Sequence, residues 1–302
     1  MSVLVGIDAG ASHTEAVSGG RDGGLLGRAR GRSGAIRPGQ EREAVRHWME
    51  ALRETLPRDG ETRTPAAVVV GAAGAGDPAA SARAQEMLAA ALGPGSLVCV
   101  VTDGEIALEA AFPGGAPGIV VTAGSGSNAF ARDGDGALHR VGGVGWQFGD
   151  EGSGYALARD ALAAVGRALE GRGPETSLGE RLAAALPCER AVELVPWARD
   201  AAPREVAVLA RTVADAAAHD RVAAVLVERA AEDLAAHVEA LLSRFPDAQP
   251  VPVAFNGGLL HPDSAVRHAL LRVLHERHGR LALELDPVDP PLGALRLARR
   301  LR

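Results

Sequence analysis

The sequence predicts an α/β protein of two domains, each built of three layers with a mixed β-sheet. A short apolar strand that runs into a loop of small residues occurs twice, at 3–7 and at 118–121. Each copy is followed by an Arg-Asp-Gly turn, at 21–23 and at 132–134. A repeat spaced by more than a hundred residues indicates a duplicated domain rather than a solenoid. The length of 302 residues is sufficient for two cores.

The apolar spacing of the first half predicts three strands followed by an alternation of helices and strands. Gly and Asp between the second and third strands favour a hairpin turn. Asp77 before Pro78 is typical of a helix start. The predicted elements are strands 3–8, Thr14–Val17 and Leu25–Ala29, helix Glu41–Leu56, strand Ala66–Val70, a helix beginning at Asp77-Pro78 and strand Leu97–Val101.

The second half repeats this order but contains an additional Ala-rich helical segment at about 155–245. The predicted elements are strands Ile119–Thr122, Asn128–Ala131, Leu138–Val141 and Val251–Phe255, a helix opened by His261-Pro262, strand Leu281–Leu285 and a closing helix Leu292–Leu301. We therefore expect domains at 1–115 and 116–302, the second of which carries the helical insertion.

Composition excludes several classes of function. All 32 residues of the Lys+Arg count are arginine, which excludes a P-loop NTPase and Schiff-base chemistry because both require a lysine. The net charge of −6 offers no basic patch for nucleic acid. Phosphate must therefore be held by backbone N–H groups, hydroxyls, arginine or a metal.

The two cysteines show no ligand spacing, and Cys99 lies in an apolar strand, so we expect reduced thiols. No apolar run is long enough to span a membrane, and no basic segment precedes the first apolar stretch. We therefore expect a cytoplasmic protein without membrane or nucleic-acid partners. The Ala-rich helices offer faces for self-association, and we expect a homodimer.

The first small-residue loop has the composition of a phosphate site. Gly10 and Ala11 allow close approach of the backbone, and Ser12 and Thr14 offer hydroxyls. Asp8, at the end of the strand, suits a Mg²⁺ site because Mg²⁺ prefers oxygen ligands and retains water. The alternative is an Asx-turn carboxylate that caps its own loop. The neighbouring small and hydroxyl residues favour the metal.

Three further segments contain candidate site residues, each with a structural alternative. The loop of Gly124, Ser125, Gly126 and Ser127 matches the first loop, although such a sequence is also typical of a flexible connector. Asp103 follows a strand, a position at which an acidic residue is typical of a helix N-cap. The glycine-rich segment 142–154 contains Trp146, Gln147, Asp150 and Glu151. This mixture suits sugar recognition, and the alternative is an Ω-loop with an N-cap acid.

The ordered set of these motifs resembles one family. The set comprises Asp-x-Gly-x-Ser-x-Thr at 8–14, Gly-Ala-Ala-Gly-Ala-Gly at 71–76, Thr-Asp-Gly at 102–104, Ala-Gly-Ser-Gly-Ser-Asn at 123–128, Gly-Asp-Glu-Gly-Ser at 149–153 and Asn-Gly-Gly-Leu at 256–259. It is similar to the BadF/BadG/BcrA/BcrD ATPase family, within it the N-acetylglucosamine kinase-like branch. The motifs extend over the whole chain.

The resemblance implies an actin/hexokinase-type fold of two ribonuclease-H-like domains around a nucleotide cleft, with ATP and Mg²⁺ as cofactors. It implies that Asp103 is the general base and that Gly124–Ser127 is a second phosphate loop in which Ser125 also faces the sugar. By the same resemblance, Trp146, Gln147 and Asp150 line the hexosamine site with Glu151 nearby. The nucleoside packs on the loop of Gly257 and Gly258, which is alternatively a tight strand-to-helix turn.

One position departs from the family. The sugar kinases carry an Asn, which bonds a ring hydroxyl, where this chain has Ile36. An apolar residue cannot make that bond, so either Arg37 makes the contact instead or the acceptor is another amino sugar or a muramic-acid derivative.

We therefore expect an ATP-dependent kinase that phosphorylates the 6-hydroxyl of N-acetylglucosamine or glucosamine. The alternatives are an activator ATPase of the acyl-CoA dehydratase or benzoyl-CoA reductase type, which needs paired cysteines for an iron–sulfur cluster, and a non-catalytic sugar or nucleotide sensor.

Overall fold

The chain folds into two compact α/β units in the computed structural model, which describes residues 2–56, 64–247 and 249–301. The first unit comprises residues 1–116 together with 288–302, and the second comprises residues 117–287. Each unit contains one five-stranded sheet. No helix within these described ranges combines the length and the apolar character that a membrane span requires.

The sheet of the first unit has the strand order β3-β2-β1-β4-β5. Strands β1 to β3 are antiparallel neighbours, and β4 and β5 continue the sheet in parallel with β1. The elements of this unit are β1 (Val3–Ala9), β2 (His13–Gly20), β3 (Leu25–Arg32), α1 (Glu41–Thr55), β4 (Ala67–Ala72), α2 (Pro78–Leu92), β5 (Leu97–Thr102) and α3 (Asp103–Ala111).

The sheet of the second unit has the order β10-β9-β6-β7-β8, which is the same topology read from the other edge. The predicted duplication therefore extends to the strand order and direction. The elements are β6 (Gly118–Ala123), β7 (Ser127–Arg132), β8 (Leu138–Gly142), α4 (Gly154–Leu169), α5 (Leu178–Ala184), α6 (Leu194–Asp200), α7 (Pro203–Val208), α8 (Ala210–Ala216), α9 (Arg221–Leu242), β9 (Val251–Asn256), α10 (Ala265–Arg277) and β10 (Leu281–Glu284).

The last helix, α11 (Pro290–Ala298), packs in the first unit, although the expected boundaries place residues 288–302 in the second domain. Its buried Ala294, Leu295 and Ala298 form one cluster with Leu4 of β1 and Ile106 of α3. The apolar face of the first sheet that α1 and α2 leave uncovered is the physical reason for this return of the chain, because burying it requires a further helix.

Two glycines let the backbone of α11 come into direct contact with its neighbours. A Cβ atom on Gly6 of β1 would lie 2.3 Å from the backbone nitrogen of Leu295 and 2.4 Å from the carbonyl oxygen of Pro291. A Cβ atom on Gly293 would lie 1.9 Å from the carbonyl oxygen of Ile106. No larger residue fits at either position unless the helix moves away from the sheet.

Asp220 organises the start of the long helix α9 in the second unit. Its Oδ1 accepts hydrogen bonds from the N–H groups of Val222 and Ala223, and its Oδ2 accepts from Thr176 Oγ1 and from both N and Oγ of Ser177. Burial alone would raise the pKa of Asp220, but these donors outweigh it and lower the pKa to about 2.

We expect Gly6→Ala and Gly293→Ala to destabilise the protein by roughly 1–3 kcal/mol each, because the added methyl group displaces α11. Chemical denaturation of both variants measures this. Gly166→Ala, in α4 with open space at its Cβ position, is the matched control and should stabilise by about 0.5–1 kcal/mol. Equal stability of Gly6→Ala and the wild type would contradict the close contact.

Asp220 should contribute to stability in a pH-dependent manner. Because its folded pKa lies below the unfolded value, the contribution is complete above about pH 4 and is lost as the pH falls towards 2. The difference in unfolding free energy between wild type and Asp220→Asn should be about 2 kcal/mol at pH 6 and shrink through this range. Asp247→Asn, at a fully exposed side chain, is the control; a difference that persists unchanged at pH 2 would argue against this assignment.

Candidate active site

The turn between β1 and β2 leaves backbone donors open at the end of the central strand. Gly10 N donates to His13 O at 2.9 Å, and Gly10 O accepts from Gly34 N at 3.2 Å. The N–H groups of Ala11 and Ser12 have no hydrogen-bond acceptor among the residues that the structure describes. Ser12 is exposed. Two unsatisfied N–H groups beside an exposed hydroxyl form a suitable cradle for an anion.

Thr14 differs from Ser12, the other hydroxyl residue of this loop, because its side chain is fully buried. It lies on the face of β2 that packs towards α1, and its Oγ1 has no partner within the described part of the chain. A Cβ atom on Gly34 would lie 2.4 Å from this oxygen. The hydroxyl of Thr14 is therefore closed off from a ligand in this structure, whereas that of Ser12 is accessible.

Asp8 lies among other carboxylates. It is opposite Glu15 in the β1–β2 register, and Arg28 connects Glu15 to Asp289 with contacts of 2.7 and 2.8 Å. Burial raises the pKa of Asp8 to about 7, and the negative charges of Asp103, Glu15 and Asp289 add to the rise. This excess of negative charge fits a divalent cation with oxygen ligands.

Direct coordination by several protein side chains is not indicated for such a cation. Within residues 2–56, 64–247 and 249–301, no group of three or more His, Cys, Asp or Glu side chains could hold a metal ion. The site therefore fits an ion that keeps most of its water ligands and contacts the protein through Asp8, as Mg²⁺ commonly does.

The helix cap at α3 is supplied by Thr102 and not by Asp103. Thr102 and Glu105 form a capping box, in which Glu105 N donates to Thr102 Oγ1 at 3.3 Å and Thr102 N donates to Glu105 Oε1 at 3.1 Å. Asp103 is the first residue of the helix, and its Oδ1 accepts from Gly104 N at 3.0 Å. The N-cap alternative for Asp103 is therefore wrong, because the neighbouring residue performs that task.

In the second unit, the loop of Gly124–Ser127 is an ordered turn and not a flexible connector. Gly124 N donates to Gly126 O at 2.9 Å. Ser127 is buried, and its Oγ donates to the carbonyl oxygen of Glu151 at 2.5 Å. Among the described residues, the N–H groups of Ser125 and Gly126 have no acceptor. The open donors of this loop are thus backbone groups, while the hydroxyl of Ser127 connects the loop to the backbone of Glu151.

Asp150 fastens this loop to the glycine-rich segment 142–154. Its side chain is buried and accepts from Ser127 N at 3.5 Å, and its carboxylate lies against Gly126. Burial raises the pKa of Asp150. Its φ of 58° is the only positive value at a non-glycine residue in the described chain. Such left-handed backbone costs about 1 kcal/mol and is common at functional sites.

Trp146, Gln147 and Glu151 are exposed on the same segment, in contrast to Asp150. The Trp146 ring lies 5.3 Å from the Tyr155 ring at the start of α4. Ser153 provides the N-cap of α4 through a hydrogen bond from Ala156 N at 3.2 Å. The predicted N-cap acid in this segment is therefore not required, and the exposed aromatic and polar groups are available to a ligand.

A cavity of about 440 Å³ in the second unit brings two of the predicted loops together. Gly124 lines it beside Gly258, and this volume is in the usual range for a small-molecule site. Gly257 has a φ of +94°, and a Cβ atom there would lie 2.3 Å from the carbonyl oxygen of Ala123. Glycine is therefore required where the β9 loop crosses the end of β6.

The sequence did not indicate the other walls of this cavity. They come from the helical insertion and from the start of α10, namely Ala207, Val208, Ala210, Arg211, Ala214, Asp215, His261, Asp263 and Ser264. Ala207 lies in α7, whereas Ala210 and Ala214 lie four residues apart on α8, so no pattern within a single helix marks all three as cavity residues. Ser264 lines the cavity, and its buried Oγ has no hydrogen-bond partner in the described ranges.

Ile36 does not face a ligand. Its side chain is 4% exposed in the core below α1, and its N–H donates to Ala73 O at 2.8 Å. Arg37, the next residue, is exposed. Position 36 therefore holds a packing residue and offers no polar side chain to a ligand.

The cysteines lie in different units and are both partly buried. Burial raises the pKa of the Cys99 thiol, and the charge of Glu105 adds to this. A thiol held in its neutral form on a strand is poorly suited to bind a cluster.

The chain matches a family model along nearly its whole length. The model described as the BadF/BadG/BcrA/BcrD ATPase family covers residues 5–298. Among curated proteins, an N-acetylmuramic acid/N-acetylglucosamine kinase from Clostridium acetobutylicum is 26% identical over 304 residues, which cover 99% of each chain.

Solved structures confirm the predicted actin/hexokinase-type fold. A proposed N-acetylglucosamine kinase from Chromobacterium violaceum is 29% identical with a TM-score of 0.81, over 99% of both chains. A ROK family glucokinase from Streptomyces griseus, in complex with glucose and AMPPNP, has a TM-score of 0.59 at 18% identity, covering 99% of this chain and 100% of that chain. The second likeness concerns the fold alone.

The division of tasks between Thr102 and Asp103 can be tested by stability. Thr102→Ala should cost about 1 kcal/mol because it removes the N-cap of α3. Asp103→Asn should leave the unfolding free energy unchanged or slightly higher, because Asn keeps an oxygen for Gly104 N and removes a charge that opposes Asp8. Urea denaturation of both variants measures the free energy of unfolding. An equal loss of stability in Asp103→Asn would show that Asp103 also caps the helix.

Proposed function

Because the chain belongs to the BadF/BadG/BcrA/BcrD ATPase family, we propose that it is an ATP-dependent sugar kinase that acts on an amino sugar. The proposed acceptor is N-acetylglucosamine or glucosamine, phosphorylated at its 6-hydroxyl. The observation that carries this proposal is Asp103, a carboxylate that is not needed as a helix cap and lies close enough to Asp8 to affect its pKa.

In the proposed reaction, the two small-residue loops bind the phosphates through backbone N–H groups. The open donors are those of Ala11, Ser12, Ser125 and Gly126. Such donors suit phosphoryl transfer, which asks the protein chiefly for positioning and for stabilisation of charge. They also explain how a chain without lysine can hold a triphosphate.

Asp103 accepts the proton of the acceptor hydroxyl. At the same time the oxygen of that hydroxyl bonds to the γ-phosphorus, and ADP leaves. A Mg²⁺ ion held through water at Asp8 would supply compensation of the phosphate charge. The nucleoside packs against the loop of Gly257 and Gly258, and Gly258 lines the 440 Å³ cavity. Trp146, Gln147, Asp150 and Glu151 form the acceptor side with Ser125.

The acceptor class follows from the exposed groups of the segment 146–151. An indole ring covers an apolar sugar face, and an exposed carboxylate accepts from hydroxyls. The relative from Clostridium acetobutylicum adds N-acetylmuramic acid to the candidates. Ile36 offers no polar contact to the sugar. An Asn at this position would bond a ring hydroxyl of the acceptor, so we expect this chain to accept a sugar with a different substituent in place of that hydroxyl.

A coupled assay of ADP release tests this function. N-Acetylglucosamine, glucosamine and N-acetylmuramic acid should stimulate ATP turnover, whereas 6-deoxy-N-acetylglucosamine should not. Asp103→Asn should lower kcat by about 10²–10⁴-fold, while ATP affinity by calorimetry stays within a few-fold of wild type. Preserved turnover in Asp103→Asn would reject it as the base. ATP binding without turnover on any sugar would instead favour a sensor.

A further inference from the structure

One buried histidine of the second unit takes no part in the proposed chemistry. His237 lies in α9 with 8% of its side chain exposed. Its Nε2 is 3.8 Å from Oε2 of Glu151, and a Cβ atom on Gly142 would lie 2.9 Å from the same nitrogen. The imidazole therefore sits directly beneath the glycine-rich segment, and its Nε2 edge faces that segment.

The surroundings of the ring determine which nitrogen carries the proton. Nδ1 is buried and has no hydrogen-bond partner among the described residues. A proton on Nδ1 would leave a donor unsatisfied and turn the lone pair of Nε2 towards a carboxylate. A proton on Nε2 instead points at Glu151. The neutral tautomer with Nε2–H is therefore the stable one.

Burial favours the neutral form of His237. It lowers the pKa of His237, although the charges of Glu151, Asp233 and Asp150 oppose this change. Glu151 and Asp150 face the ring from the segment before α4, and Asp233 lies one turn earlier on α9. A neutral donor can orient a carboxylate without neutralising the charge that a sugar hydroxyl would bond.

Glu151 has an anchored backbone and a side chain that projects into solvent. Its carbonyl oxygen accepts from Ser127 Oγ, whereas its side chain is 55% exposed. A rotation that shortens the Nε2–Oε2 distance by about 0.8 Å would complete a hydrogen bond. One carboxylate oxygen would then be fixed, and the other would remain directed outwards.

We propose that His237 is a positioning residue of the acceptor site, whose Nε2–H orients the Glu151 carboxylate so that one oxygen is presented to an acceptor hydroxyl. This inference rests on the proposed function, because it takes the segment around Glu151 as the acceptor side. His237 itself does not contact the acceptor.

The test compares steady-state kinetics of His237→Leu, His237→Gln, Glu151→Gln and the double variant His237→Leu/Glu151→Gln. His237→Leu should raise the acceptor KM about 10-fold, the usual effect of losing a hydrogen bond to a charged group. The KM for ATP should stay within about 2-fold, as these changes lie outside the proposed nucleotide cavity. His237→Gln, whose amide can donate from a similar place, should recover most of the loss.

A cycle of these variants separates positioning from packing. In the Glu151→Gln background, His237→Leu should add little to the acceptor KM. Leu241→Ala, one turn later on α9 and 2% exposed, is the control that loses stability without changing the acceptor KM. Additive effects of His237→Leu and Glu151→Gln, or equal increases in both KM values, would overturn the proposal.

A spectroscopic measurement decides the pairing without turnover. The ¹⁵N shifts of the His237 ring should report a proton on Nε2 in the wild type and should change in Glu151→Gln. A proton on Nδ1 would overturn the inference. Absence of transfer to any sugar by the wild type would reject the proposed function, and with it the acceptor role of Glu151, while the ring shifts would still show whether the two side chains are paired. The same spectra decide the matter if His237→Leu fails to fold.

Discussion

The structure of the first unit depends on a backbone-to-backbone contact that only glycine permits. Gly6 and Gly293 allow α11 to lie directly on β1 and on α3. These two elements carry Asp8 and Asp103, and α11 packs against both of them. An ion pair between Arg300, two residues after α11, and the buried Glu109 connects this segment to α3. Because Glu109 is fully buried and Arg300 is about half exposed, loss of Arg300 would be costly through the buried carboxylate that it compensates.

In the second unit, the loop of Gly124–Ser127 is held in a fixed position while its backbone donors stay open to a ligand. Side chains provide the fixing: Ser127 and Asp150 tie the loop to the glycine-rich segment. Backbone groups provide the openness, because their N–H donors remain without acceptors in the described structure. The left-handed backbone of Asp150 is the local strain that accompanies this arrangement.

The sequence predicts the duplicated sheets well, because period-two apolar runs and turn residues are local signals. Their topology and the actin/hexokinase-type fold are confirmed, and strands such as β2 and β3 are longer than the hairpin signal indicated.

The packing of α11 on the first unit has no local signal, because its apolar face fits either sheet. The same holds for Ala207 and Ala214, whose small size has meaning only beside a cavity. The helix cap at Thr102 was missed since Asp103 is an equally good capping residue by type. The roles of the site residues and the homodimer remain predictions.

The chain leaves the first unit at residue 116 and returns to it only at residue 288. During synthesis on the ribosome, Leu4, Val17 and Val69 of the first sheet therefore stay uncovered until α11 has been synthesised. The second unit is continuous and acquires its own core in the meantime. The second unit can therefore complete its fold before the first. A polypeptide truncated before α11 would expose the apolar face of the first sheet, which favours aggregation and binding by chaperones.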